Sequence, residues 1–110
     1  MNEIPNNKLV ENDLPLPNAD WNPIRLFALS FNGYDKWGSL GKCADIANDS
    51  LDKWREEEVL PNSLTDLRTC LFFEQRRWTH FGSDPDEKSM IYIHELVEAI
   101  RRETQASELD

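Results

Sequence analysis

Cysteine is scarce: the 110 residues hold two, Cys43 and Cys70. Two cannot build the multi-bridge framework of a small secreted domain. Both fall on apolar positions of predicted helices, where a reduced thiol acts as a small hydrophobe. Glycine is also thin, at four residues; Gly33, Gly38 and Gly41 fit neither the dinucleotide nor the P-loop fingerprint. Positive charge is in short supply. Twelve Lys and Arg stand against 21 Asp and Glu, for a net charge of -9. That balance disfavours direct contact with nucleic acid or an anionic membrane. No apolar run approaches the ~18 residues that a membrane span needs. The first residues have neither a positive n-region nor an apolar h-region, so no signal peptide is expected and the expected location is cytoplasmic. Metal-ligand spacings are missing too. Neither Cys-x-x-Cys nor His-x-x-x-His occurs, and Glu-x-x-His, the di-iron bundle pattern, is absent. No metal and no cofactor is expected.

What the chain does have is a folding composition. It is 39% hydrophobic, with four Trp and five Phe, at a length suited to one domain. Residues 1–20 are rich in Asn, Asp, Glu and Pro and read as a loose N-terminal arm. Leu14 and Leu16 are its candidates for packing back on the domain. Asn22 as N-cap, Pro23 after it and a Trp21–Leu26 staple predict a short first helix, stopped at Asn32-Gly33. Leu40, Cys43, Ala47, Leu51 and Trp54 recur every three or four residues and predict a second helix from about Ser39 to Glu58. Pro61 stops it. Ser63 with Asp66 three residues on opens a third helix, and Gly82 closes it. Asp84 followed by Pro85 opens a fourth, with Met90, Ile93, Leu96, Val97 and Ile100 as its inner face. Residues 104–110 are expected to fray, which leaves 21–103 as the helical domain. The fold class is therefore all-α, a compact single-domain bundle of about four helices.

The third helix carries the unusual chemistry. At roughly 100° per residue, Leu64, Leu67, Cys70, Leu71, Trp78 and Phe81 share a face, and Glu74 falls among them. A carboxylate in an apolar stripe must be paired, hydrogen-bonded or protonated. Arg77, one turn on, is the partner nearest by spacing, so Glu74–Arg77 is expected to be a buried ion pair. The opposite face carries Thr69, Phe73, Arg76 and His80. Aromatic side chains next to Arg are typical of interface anchors, so Phe73, Arg76, Arg77 and His80 are the expected protein interface. On the second helix, Asp45, Asp49, Asp52 and Glu56 form an acidic stripe about 16 Å long. A solvated face is its ordinary explanation, and a surface that docks a basic site is the sharper one.

These features point to a non-enzymatic acidic interaction module, an adaptor or accessory subunit whose partner is a protein. A second copy of the chain is one candidate partner, because Leu71, Phe72 and Phe73 point in three directions and ask for more cover than three helices promise. The alternative is an acidic inhibitor or immunity-type protein that covers the basic site of an enzyme or nuclease. No catalytic residue is assigned.

Overall fold

Three helices are arranged around a fourth, α3 (Leu64–Phe81). Ser63 caps its start: the backbone there is extended, and Oγ accepts the Asp66 N–H at 3.4 Å. That satisfies one of the donors a helix start leaves unpaired. Gly82 ends α3 with a φ of 70°, while the Gly82 and Ser83 N–H groups turn back to the Thr79 and Trp78 carbonyls. This is the left-handed stop that glycine adopts at least cost. Before α3 come α1 (Trp21–Leu29) and α2 (Leu40–Glu57), and after it α4 (Glu87–Leu109). The computed structural model describes residues 14–31 and 40–109. The fold is all-α, with no strand among the described residues. The expected stop at Asn32-Gly33, the expected start at Ser39 and residues 1–13 of the arm lie outside the described residues.

Short connections at residues 58–63 and 82–86 leave α2, α3 and α4 little choice but antiparallel packing. Each contributes one apolar face. Cys43, Ala47, Leu51 and Trp54 of α2 are buried, as are Leu67, Cys70 and Leu71 of α3 and Ile93, Leu96, Val97 and Ile100 of α4. Trp54 closes the α2–α4 seam. Its ring stands 4.9 Å from that of Tyr92, and its indole N–H donates to Glu95 Oε1 at 2.9 Å. The indole thus buries its apolar body while its one donor stays satisfied. Helix α1 crosses the other side of α3 and buries Ile24, Phe27, Ala28 and, just past its end, Phe31. Arg68 lies over the Phe31 ring, 5.4 Å from its centre, whereas Trp21 shares a depression with Trp78 and Gly82. Helix α1 therefore runs antiparallel to α3.

Three boundaries and one packing contact differ from expectation. Helix α1 starts at Trp21 with Asp20 as its N-cap, and Asp20 makes no side-chain capping bond. Asn22 instead accepts from Arg25 Nη2 at 3.1 Å. Pro23 then stands third in the helix, still inside the first turn, where a missing N–H costs nothing. Leu26 is 54% exposed and Trp21 packs on the core without it, so the expected staple does not form. At α4 the cap is Asp86, not Asp84. Its Oδ1 accepts the Ser89 N–H at 2.8 Å and its carbonyl accepts the Met90 N–H at 2.9 Å. The hydrogen bonds from Ser89, its backbone N–H first, hold the Asp86 carboxyl below its ordinary value. Helix α4 also continues to Leu109, past the expected fray at 104, with Thr104 buried one turn beyond Ile100. No Gly or Pro interrupts that stretch, so nothing in the chain stops the helix.

Residues 14–20 follow α4. Arg101 Nη1 donates to the Pro15 carbonyl at 3.3 Å, His94 Nε2 stands 2.9 Å from the Ala19 carbonyl, and Leu14 packs against the core. Leu16 remains 63% exposed.

Two glycines separate backbone freedom from packing. A Cβ at Gly82 or at Gly41 would meet nothing within 4 Å, yet only Gly82 has a positive φ. Gly82→Ala is expected to cost about 1 kcal/mol through the left-handed backbone alone. Gly41→Ala, inside a helix, is expected to be neutral or to stabilise by up to roughly 0.5 kcal/mol. Urea denaturation of both variants checks this, and equal losses at the two sites would contradict the assignment of the α3 stop.

Candidate functional site

Two features of α3 carry chemistry: a carboxylate on its inner side and an uncovered cationic face near its end. The inner one is Glu74, which is 3% exposed. Its Oε1 accepts the Trp78 indole N–H at 3.2 Å, one turn along the same helix. Its Oε2 lies 3.6 Å from Arg77 Nε, an ion-pair distance longer than a hydrogen bond. The Arg77 side chain is 34% exposed and its Nη2 donates toward Asn48 of α2 at 3.5 Å. Burial pushes the Glu74 carboxyl above its ordinary value. Arg77, the Trp78 donor and the more distant Arg55 pull it down without prevailing. The donor that the sequence reading missed is Trp78. The signal was available, since residues four apart on a helix are neighbours.

Beside Glu74 lie two more buried ionisable groups, Cys70 and Tyr92, each 1% exposed. Burial raises the thiol, although Ser50 and Tyr92 are near enough to offset part of the rise. Burial, with Cys70 alongside, raises the Tyr92 hydroxyl far above its usual range. Both groups are therefore neutral at physiological pH, and Cys70 has none of the electropositive surroundings that activate a thiol. Glu74 lines neither of the two clefts described below.

The outer feature begins where cover runs out. Thr69, the first residue of the expected outer face, is buried, and its hydroxyl donates to the Thr65 carbonyl at 2.9 Å. Phe73 is half-buried against the core and in edge contact with Phe72, with centroids 5.4 Å apart. Arg76 and His80 are exposed. From Phe72 to Phe81 this side of α3, with Leu29 of α1, lines a cleft of about 610 Å³. Phe73, Arg76, Arg77 and His80 all line it, so the structure brings the four expected interface residues together. Among the described residues, no carboxylate lines it. Arg76 has no ion-pair partner among the described residues.

Leu29 and Phe81 were not among the expected interface residues. Phe81 belonged by spacing to the inner face, but it is 64% exposed and Leu29 is 40% exposed. In the last turn of α3 the Phe81 ring packs edge-on against Trp78, 5.9 Å between centroids, and beside His80, and it stays open to solvent. The clue in the sequence was Gly82, which puts Phe81 at the very end. A second cleft of about 550 Å³, between the start of α1 and the end of α3, includes Asp20, Arg25 and Asp84 and so mixes charge. On α2, Asp45, Asp49, Asp52 and Glu56 are all exposed, and none has an ion-pair partner among the described residues.

No protein-family model matches the chain, and neither does any curated protein or any solved structure. No described helix is long and apolar enough to cross a membrane.

Glu74 gives a pH-dependent prediction. A carboxyl raised in the folded state contributes most below its unfolded value, near 4.5, and loses that contribution as pH rises through the higher folded value. Glu74→Gln, a neutral isostere, removes this term. Wild type should therefore lose more stability than Glu74→Gln between pH 4 and pH 7. Glu74→Ala should cost roughly 2–3 kcal/mol, through a cavity and a stranded indole N–H. Urea melts at both pH values test this, and a constant offset between wild type and Glu74→Gln would mean that Glu74 titrates as it does in water.

Proposed function

We propose that this chain is a non-enzymatic protein-interaction module, an adaptor or accessory subunit acting in the cytoplasm, and that it holds its partner on the outer side of α3. The observation that carries this reading is the cleft itself. Large aromatic and aliphatic groups, Phe81 and Leu29, are left more than a third exposed around Arg76, which has no ion-pair partner among the described residues. Aromatic residues with Arg are the anchors that dominate binding energy at interfaces, and exposed apolar groups gathered in one place mark contact sites. The inner carboxylate is consistent with a structural part, because burial disfavours ionisation of its neighbours Cys70 and Tyr92 and it lines neither cleft.

A second reading draws on the stripe Asp45, Asp49, Asp52 and Glu56, exposed along α2. An acidic inhibitor or immunity-type protein would press that surface onto the basic site of an enzyme or nuclease. The two readings use different faces, so one experiment separates them. The full chain, the variant Arg76→Glu with Phe81→Ser, and the variant Asp49→Asn with Asp52→Asn are immobilised and exposed to native lysate. The cleft variant is expected to lose the protein that wild type captures, while the stripe variant keeps it. Loss with the stripe variant alone would transfer the function to the acidic face.

A further inference from the structure

We infer that the cleft on α3 receives an acidic amphipathic helix of a partner protein, its apolar side lying between Phe81 and Leu29 and its carboxylates against Arg76 and His80. This rests on the reading of the chain as an interaction module and adds the chemistry of what it binds.

Charge complementarity selects the occupant. The protein carries -9 overall, yet among the described residues this cleft is lined by Arg76, Arg77 and His80 and by no carboxylate. An acidic chain that gathers cations around exposed aromatic groups is built for an anionic ligand with apolar content. Arg77 already faces Glu74 and Asn48, which leaves Arg76 and His80 as the groups that can turn to a newcomer.

Shape selects a helix. The lining residues Phe72, Phe73, Arg76, His80 and Phe81 follow the axis of α3 for about 13 Å. A groove along a helix takes another helix by its i, i+3, i+4 and i+7 side chains. A small organic acid fits less well. Small-molecule sites bury most of their ligand, whereas here the flanking Phe81 is 64% exposed.

A second copy of the chain is disfavoured by the same charges. A two-fold contact at this face places the same patch opposite itself, so Arg76 and His80 of one copy would meet Arg76 and His80 of the other. Overall charge does not separate the two occupants, because each brings negative charge toward a chain of -9. An acidic partner also meets the overall negative charge, but at physiological salt the Debye length is about 8 Å, so distant repulsion is screened while pairs in contact persist.

The test uses the full chain and a labelled synthetic helix of about 14 residues, with Leu at i, i+3, i+4 and i+7 and Glu on both flanks. Two controls replace all Leu by Ala, or all Glu by Lys. Fluorescence anisotropy is expected to show that the Glu/Leu peptide binds roughly tenfold or more tightly than either control. Arg76→Glu should weaken it by roughly tenfold and should bind the Lys/Leu peptide in its place. Phe81→Asp should also abolish binding. Both substitutions are at exposed positions, and unchanged thermal melts would confirm that each variant folds. The Glu/Leu peptide binding no better than its controls would overturn the proposal. So would sedimentation of wild type as a dimer that Phe81→Asp dissociates, since the occupant would then be a second copy. Either result, with the capture experiment still mapping to the cleft, would leave the interaction reading standing and remove only the acidic helix.

Discussion

The enclosure of α3 is the constraint from which the rest follows. Leu71, Phe72 and Phe73 are consecutive, and on a helix three consecutive side chains point in three directions. Such a helix cannot lie on a surface with one side to water. Helix α1 covers it with Ile24, Phe27 and Ala28, α2 with Leu51 and Trp54, and α4 with Ile93, Leu96 and Val97. The distribution of charge suits that arrangement. Residues 61–82 carry +1, while the flanking segments 35–59 and 83–110 carry -3 and -5. The two acidic helices both pack on the one that is not acidic, and they meet each other through Trp54, Tyr92 and Glu95.

Enclosure also fixes where polar groups may stand on α3. Thr69 and Gln75 are buried because each bonds within the helix, Thr69 to the Thr65 carbonyl and Gln75 to the Thr79 hydroxyl. Glu74 is tolerated because Trp78 donates to it and because burial favours its neutral form. Removing its charge is cheaper than desolvating it. On the side that carries Arg76, His80 and Phe81, all three exposed, the helix meets solvent instead. One helix thus serves as core along most of its length and as surface on that side.

The sequence made much of this legible. Periodicity on α2 and α4 marked residues that are buried, and Ser63 and Gly82 bounded α3 where the backbone bears them out. Local rules competed at the other termini. The expected caps were Asn22 for α1 and Asp84 for α4, whereas the helices start after Asp20 and Asp86. Phe73, Arg76, Arg77 and His80 shared a face by spacing and do line one cleft. The periodicity of a single helix could not reveal Leu29, which comes from α1, or the exposure of Phe81, which is set by tertiary packing.

The account rests on α3 being the most enclosed element, and hydrogen exchange measures that directly. Amides of Leu67 to Gln75 should exchange only through global unfolding, as slowly as those of Tyr92 to Ile100 in α4, while the last turn of α3 exchanges faster. If the central amides of α3 exchanged as readily as those of α1, the helix would not be the enclosed centre of the fold, and its outer side could not be singled out as the one left for a partner.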